Sequence, residues 1–350
     1  MSEELVPSPV DFVTADRNLW QRYHDLRRTR QEELRPDDPL RPDADEELLL
    51  KRPNPFDIHE YAEITRDGRM LGWFSAEAVR PGSPEYESNK HLYWADAYVR
   101  SDLRRRGIAT SLLPHLVQQM RAHGATTVGF WVEDDSGRGF MKWLGAEGRL
   151  NEIESRLKFA EVDWPMLERW VAEGTQRSPG TRLEIFDGSL PDDALVDFAR
   201  QISAMLNTIP FEALDHGDIV TTPEKIREWN ERRSLTGEVL HTVITREPDG
   251  LISGITETLW APHRSRIIHQ EFTGVWPEAR GRGLGKWIKA AMLLHLRELY
   301  PQAEWVMTGN AGSNAPMLKI NRAMGFRPYR NATEYQMTRR QLEEKLSEKL

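Results

Sequence analysis

The chain has 350 residues, of which 39% are hydrophobic and 29% charged, and it carries a net charge of −8 at pH 7. This length exceeds what one hydrophobic core usually holds, so we expect two globular domains. The absence of cysteine excludes disulfides, thiolate zinc sites, iron–sulfur clusters and a cysteine nucleophile.

The same composition sets expectations for partners and location. The acidic balance argues against nucleic-acid binding, and no apolar run is long enough to predict a membrane partner. The N-terminal residues MSEELVPSPV lack the basic start and apolar stretch of a secretory signal. We therefore expect a cytoplasmic protein, either a monomer or a homodimer.

Both halves of the chain are predicted to mix helices and strands. In the first half we expect a helix at 17–33, a loop at 36–45, a hairpin of strands 60–65 and 69–76, and strands at 91–99 and 127–132. In the second half we expect a strand at 183–186, helices at 192–206 and 223–233, a hairpin of strands 240–246 and 251–260, and strands at 267–275 and 304–308. The pairs Asp67-Gly68 and Asp249-Gly250 predict the two hairpin turns.

Three further segments concern domain organisation. An amphipathic helix at 163–174 is expected to bridge the halves, and another at 341–350 to pack on the first half or on a second subunit. The polar, aperiodic stretch from Glu173 to Gly180 predicts a linker. The resulting division is an N-terminal domain at 1–174, a linker at 175–182 and a C-terminal domain at 183–350.

An internal repeat supports this division. A predicted strand ends at Val99, and the turn Arg104-Arg-Arg-Gly107-Ile-Ala109 then leads into a helix. The same arrangement returns 176 residues later, where Val275 precedes the turn 280–285, RGRGLG. The chain is therefore interpreted as one duplicated domain.

The repeated turn predicts an anion site. A glycine-rich turn at a helix N-terminus presents backbone N–H groups, and Arg280 and Arg282 add positive charge. Two other phosphate-binding motifs do not match this turn. A P-loop would need glycine at 280 and serine or threonine at 287, where the chain has arginine and tryptophan, and a dinucleotide fingerprint would need a different glycine spacing. The form Arg-x-x-Gly-x-Gly/Ala instead fits the pyrophosphate arm of coenzyme A.

With this turn, the chain resembles the GNAT superfamily of acyl-CoA-dependent N-acetyltransferases. Residues 273–285 resemble its CoA-binding motif, and residues 308–326, from Thr308-Gly-Asn310 to Met324-Gly325-Phe326, resemble the segment that follows it. The arrangement resembles the tandem-domain members, mycothiol synthase among them. The resemblance implies an α+β (mixed α/β) fold with two tandem domains, each a mostly antiparallel central sheet flanked by helices.

The resemblance also implies acetyl-CoA as the acyl donor, with no metal. The implied cofactor-binding residues of the second half are Val275, Arg280, Gly281, Arg282, Gly283, Leu284, Gly285, Asn310 and Asn314, and those of the first half are Arg104, Gly107 and Ala109. Capping of a helix is an equally good interpretation of Asn314. The ten histidines show no paired spacing, so no metal is predicted.

A protonated amine is not a nucleophile, so a base must take its proton directly or through water. Glu271, four residues before Val275, stands where the family commonly has its catalytic glutamate, and a solvated or salt-bridged carboxylate is the alternative interpretation. Strand alternation puts 269, 271, 273 and 275 on one face, which makes His269 a second candidate.

The acid that protonates the leaving thiolate departs from the family pattern. Many members have tyrosine where this chain has Asn321, and asparagine cannot serve as that acid. Tyr329 and Tyr335 are substitutes, with packing as the alternative interpretation of each.

When the same offsets are applied to the first half, no acid or base falls at an expected position. Ala95 falls at the position of the base, Met141 at that of the acid, and Asp96 lies one residue off the required face. We therefore predict that the N-terminal domain is catalytically degenerate and that the C-terminal domain transfers acetyl to a primary amine of a small molecule by direct attack in a ternary complex. Two alternatives stay open: a protein N-terminus or lysine as acceptor, and a non-catalytic acyl-CoA sensor or scaffold.

Overall fold

The protein is described from a computed structural model that covers residues 5–209 and 211–348. Within these residues the strands are β1 Ser8–Val10, β2 Asp57–Arg66, β3 Arg69–Val79, β4 Leu92–Val99, β5 Thr127–Val132, β6 Glu147–Lys158, β7 Arg182–Asp187, β8 Val239–Arg246, β9 Ile252–Trp260, β10 Ile267–Val275, β11 Trp305–Ala311 and β12 Arg327–Thr338. The helices are α1 Arg17–Leu34, α2 Asp43–Leu50, α3 Tyr86–Asn89, α4 Ile108–Ser111, α5 Leu113–Ala122, α6 Asp135–Leu144, α7 Trp164–Arg177, α8 Asp192–Leu206, α9 Pro223–Leu235, α10 Leu284–Leu299, α11 Ala315–Met324 and α12 Arg339–Ser347.

Most predicted elements are present with bounds shifted by a few residues. The predicted bounds of β5, α8 and β10 agree with the observed ones. The predicted loop at 36–45 is shorter than expected, because α2 begins at Asp43 with three acidic residues in its first turn. The predicted helix 341–350 lies within the described residues only to 348, and α12 begins two residues earlier through a capping box at Thr338 and Gln341.

The chain forms two compact units that cross the boundary between the sequence halves. Unit 1 contains residues 1–150, 211–218 and 332–350, and unit 2 contains residues 151–210 and 219–331. The predicted division at 175–182 assigns each copy of the repeat to its own domain. In the structure, the end of the first half, from residue 151, belongs to unit 2, and the end of the second half, from residue 332, belongs to unit 1. Two buried residues of the predicted linker, Ser178 and Thr181, pack within unit 2, and its first three residues belong to α7.

Unit 1 has a mostly antiparallel sheet in the order β1-β2-β3-β4-β5-β12, in which only β4 and β5 are parallel among the described pairs. The β2–β3 turn uses Asp67 and Gly68, both with positive φ, as the Asp-Gly signal predicts. The core lies between this sheet and α5, and Met337 and Leu342 from the end of the chain are part of it. The C-terminal helix α12 therefore packs on the first unit, one of the two alternatives left open.

Unit 2 repeats this plan in the order β6-β11-β10-β9-β8-β7, with β10 and β11 parallel and the other described pairs antiparallel. Its core is built around α10, and Leu157 of β6 completes it. Helix α7 packs on α10, where Gly174 allows close approach to the Trp287 ring. Among the described residues, no helix combines the length and the apolarity that crossing a membrane requires.

The expected fold class, mixed α and β with two tandem domains, is confirmed. Each unit has one central sheet with helices packed against it, and the repeat in the sequence corresponds to a repeat of the same strand order.

Candidate acyl-transfer sites of the two units

Each unit has a pair of parallel strands that separate at their carboxyl ends. In unit 1, β4 and β5 pair only from Leu92 to Ala95 on β4. In unit 2, β10 and β11 pair only from Ile267 to Gln270 on β10. The unpaired ends leave a V-shaped opening in each sheet, and the Arg/Gly turn follows directly on one of its arms.

The two Arg/Gly turns have the same backbone conformation. Left-handed φ angles occur at Arg105 (64°) and Gly107 (84°) in unit 1, and at Gly281 (81°) and Gly283 (84°) in unit 2. Successive N–H groups in such a turn form a concave site for an anion, and glycine adopts this conformation without the cost that Arg105 incurs. The predicted anion site therefore has the required backbone in both units.

The first arginine of each turn has a structural role as well. Arg104 Nε donates a hydrogen bond to the Val99 carbonyl at 3.1 Å, and Arg280 Nε donates to the Val275 carbonyl at 3.2 Å. Arg104 also forms an ion pair with Glu33. These bonds fix the turn to the end of the preceding strand, which explains the constant spacing of five residues between valine and arginine.

Unit 1 contains a large cavity at its turn and its V-shaped opening. Its volume is about 590 Å³, and it is lined by the ends of β4 and β5, by the turn including Arg104, Gly107 and Ala109, and by α6. This volume lies in the usual range for sites that bind small molecules and cofactors. The first half of the chain therefore has space for an acyl-CoA arm beside its turn.

In unit 2 the chain itself engages part of the turn. Arg282 forms an ion pair with Glu247 at 3.0 Å, and it also donates to Thr181 Oγ1 at 2.7 Å and to Ser178 Oγ at 3.3 Å. Its charge is thus already paired, whereas Arg280 is exposed. Leu284 is buried in a cluster with Trp287, and a Cβ at Gly285 would come within 3.2 Å of the Ile320 side chain.

Strand β10 has a bulge at the position of the predicted base. Its pairing with β9 shifts between Gln270 and Thr273, so Glu271 lies in the bulge. The bulge interrupts the alternation, and the prediction that 269, 271, 273 and 275 share one face is wrong for this reason. Glu271 is exposed, whereas His269 is half-buried and lies on the regular part of the strand.

A second carboxylate lies opposite the bulge. Glu257 on β9 falls between Thr256, which pairs with Thr273, and Thr258, which pairs with Gln270. Desolvation raises the pKa of Glu257 to about 7, with Arg233 opposing the shift and Glu271 adding to it. Desolvation also raises the pKa of Glu271, and Arg264 and Arg233 oppose it. The sequence analysis missed Glu257, because no motif marks it.

The bulge also corrects the assignment of Asp96. β4 has eight residues and β10 has nine, so the offset between the halves is 175 before the bulge and 176 after it. The pairings agree, since Leu92 and Ile267 occupy equivalent positions. With the offset of 175 that holds before the bulge, the counterpart of Glu271 is Asp96 and not Ala95. The prediction that unit 1 has no carboxylate at this position is therefore wrong.

Asp96 lines the unit 1 cavity but is paired. Arg30 of α1 contacts both carboxylate oxygens of Asp96, one of them at 3.0 Å. The pKa of Arg30 is raised, because Asp96 outweighs the opposing effect of desolvation. Both carboxylate oxygens of Asp96 are therefore engaged by a side chain of α1.

The asparagines of the cofactor-binding segment and the two tyrosines proposed as the acid all have partners within the protein. Asn321 is buried and donates to Asn310 Oδ1 at 2.6 Å, and Asn314 caps α11 by accepting from the Met317 N–H at 3.3 Å. Tyr329 is 40% exposed and lies under the Arg156 guanidinium, 3.7 Å from its ring centroid. Tyr335 packs against the core of unit 1 and is not part of unit 2.

The segment that follows α8, residues 207–218, belongs partly to unit 1. Asp215 pairs with His91 at 3.0 Å, and its backbone N–H donates to Gln336 at 2.7 Å. The Asp218 carbonyl accepts from Asn89 at 2.9 Å. These contacts give Asp215 and Asp218 structural roles, while Pro210 lies outside the described residues.

Comparison with known proteins finds a family match for part of the chain. Residues 20–146 match the acetyltransferase (GNAT) family, and these residues are the half that the sequence analysis takes as degenerate. No curated protein is matched by the chain. The roles of the individual site residues stay predictions, as does the likeness to mycothiol synthase in particular.

Solved structures share the fold over most of the chain. A tandem GNAT protein from the clavulanic acid biosynthesis pathway is 21% identical with a TM-score of 0.73, over 96% of this chain and 99% of that one. A GCN5-related N-acetyltransferase from Sphaerobacter thermophilus is 13% identical with a TM-score of 0.60, over 88% and 89%. The chain therefore has a tandem GNAT fold, and its residues 20–146 match the acetyltransferase (GNAT) family.

Proposed function

We propose that the protein is an acetyl-CoA-dependent N-acetyltransferase that acetylates a primary amine of a small molecule by direct attack in a ternary complex. The family of residues 20–146, the tandem fold and the repeated turn support the acyl donor. The observation that carries the proposal is the carboxylate pair at the β10 bulge, Glu257 and Glu271.

The reaction requires one proton acceptor beside the amine. The amine nitrogen attacks the thioester carbonyl carbon, the carbon–sulfur bond breaks, and the thiolate leaves while the amine proton passes to a carboxylate or a water next to it. A base works best when its pKa lies near the operating pH, and Glu257, with a pKa of about 7, meets this condition. The two carboxylates also attract a cationic amine, which supports a small amine as acceptor.

Unit 1 supports a second candidate function, acyl-CoA binding without turnover. The cavity of about 590 Å³ at its Arg/Gly turn supports binding, and the pairing of Asp96 with Arg30 argues against Asp96 as the base. Under this proposal acyl-CoA binds in unit 1 as well as in unit 2.

Release of free thiol from acetyl-CoA over a panel of small amines tests the activity. Removing a general base typically lowers the rate about 10²- to 10⁴-fold, so Glu271→Gln or Glu257→Gln should reduce kcat/KM for the amine by this factor with CoA affinity unchanged. The matched change in unit 1, Asp96→Asn, should leave turnover within about threefold. Loss of turnover in Asp96→Asn alone would move the chemistry to unit 1.

Calorimetry with acetyl-CoA separates the two donor sites. Gly107→Asp and Gly283→Asp place the same side chain and charge at equivalent positions of the two turns. We expect each to abolish one binding event, and only Gly283→Asp to abolish turnover. Unchanged CoA binding in both variants would contradict the assignment of the turns. Absence of thiol release with every amine, together with intact CoA binding, would leave the sensor or scaffold alternative.

A further inference from the structure

Unit 2 contains a cluster of metal-ligating side chains away from the acyl-transfer site. Asp187 is the last residue of β7, His241 is its register partner on β8, and His295 lies on α10. Their ligand atoms all lie within 4.8 Å of one another. Both histidines contact the same carboxylate oxygen, Asp187 Oδ1, at 2.6 Å from His241 Nδ1 and 2.8 Å from His295 Nε2.

We propose that Asp187, His241 and His295 bind one divalent transition-metal ion of the zinc type. Two imidazole nitrogens and one carboxylate oxygen are a ligand set that zinc accepts, with water as the fourth ligand. In a tetrahedral zinc site neighbouring ligand atoms lie about 3.3 Å apart, so the Asp187 oxygen needs to move away from the two histidine nitrogens by about 0.5–0.7 Å.

The surroundings of the three ligands favour this assignment. His241 Nε2 lies 2.8 Å from the Tyr300 hydroxyl, so an Nε2–H donated to that oxygen leaves Nδ1 free of its proton and directed at the metal. Tyr300 is held in place by stacking on Trp260, with ring centroids 4.6 Å apart. A metal-ligating histidine nearly always has such a partner for its second nitrogen.

The site is open to solvent on one side. The Asp187 side chain is 47% exposed, which gives the ion a route from solvent.

The site is structural and not part of acyl transfer. His241 pairs with Thr258, whose hydroxyl contacts Met292 of α10, so His241 faces that helix. The next pair along, Thr242 with Glu257, points to the opposite face of the sheet because side chains alternate. The ion therefore joins the edge strand β7, its neighbour β8 and α10, and stabilises unit 2 at the sheet edge.

Titration of the chelator-treated full-length protein with Co²⁺ tests the proposal, because tetrahedral cobalt gives visible absorption bands. We expect one equivalent to bind, to be displaced by Zn²⁺, and to raise the Tm. His295→Ala and Asp187→Asn alter residues that are not fully buried, and each should weaken binding more than about 100-fold, beyond what loss of an outer partner causes.

His123→Ala is the matched control. His123 also contacts a carboxylate, Glu60, at 3.1 Å, but this pair lies in unit 1 outside the proposed set. It should bind cobalt like the wild type. The proposal is overturned if the wild type shows no saturable cobalt spectrum, or if His295→Ala and Asp187→Asn bind cobalt as the wild type does. Because the site lies away from acyl transfer, the chelator should leave thiol release unchanged.

Discussion

Replacement of Glu257 by glutamine should change the pH dependence of stability in unit 2. The pKa of Glu257 is raised in the folded protein from 4.5 to about 7, chiefly by desolvation. Between these two values the folded state holds a proton that the unfolded chain has lost, so the free energy of unfolding falls as pH rises. Glu257→Gln removes this titration and should therefore stabilise the protein more at pH 8 than at pH 5.

The size of the effect follows from the shift. One pKa unit corresponds to about 1.4 kcal/mol, so a shift of this size costs the folded state about 3 kcal/mol above pH 7. Most of that cost develops between pH 5 and pH 8, where the gain from the substitution should grow by about 2–3 kcal/mol. Arg233 opposes this shift and Glu271 adds to it, so the cost is the net result of burial and both charges.

Urea unfolding of the wild type and Glu257→Gln at pH 5 and pH 8 measures this difference directly. Glu298→Gln on α10 is the control, because Glu298 is an exposed carboxyl of the same unit. The difference in stability change between pH 5 and pH 8 should be larger for Glu257→Gln than for this control. A Glu257→Gln effect that is the same at pH 5 and pH 8 would refute the idea that desolvation keeps this carboxyl protonated.

Four further substitutions, one of them a control, test packing and backbone conformation through urea unfolding. Arg105→Gly should raise the free energy of unfolding by up to about 1 kcal/mol, because glycine tolerates the positive φ of 64°; a loss would mean that the side chain stabilises the turn. Gly174→Ala should lower the free energy of unfolding by about 1–3 kcal/mol, because the added Cβ would lie 2.4 Å from the Trp287 ring. Gly139→Ala is the control: a Cβ there meets no atom within 4 Å, so the higher helix propensity of alanine should raise the free energy of unfolding. Leu342→Ala should cost about 2–5 kcal/mol if α12 belongs to the core of unit 1, and less than 1 kcal/mol would contradict that packing.

Local patterns in the sequence were enough to predict the elements and the repeat. Apolar periodicity predicted α8, β5 and β10, and the Asp-Gly pairs predicted the hairpin turns, because these features depend on neighbours a few residues apart. The constant spacing from valine to arginine predicted the repeated turn, whose hydrogen bond from arginine to the valine carbonyl links residues only five positions apart.

Features that depend on strand pairing were decided only by the tertiary structure. A bulge adds one residue to a strand without any mark in the sequence, so the offset counted from the turn pointed to Ala95 where the register points to Asp96. The exchange of chain ends between the units also depends on long-range pairing, in which β12 joins β5 and β6 joins β11.

The sequence by itself thus determined that the chain is a duplicated α and β protein with the same arginine- and glycine-bearing turn before a helix in each half. Only the tertiary structure brought Glu257 next to the bulge at Glu271, and Asp187 into contact with His241 and His295. The physical reason is distance along the chain: local patterns report on the backbone within a few residues, whereas a site is assembled from residues that the sheet and its helices bring together from far apart.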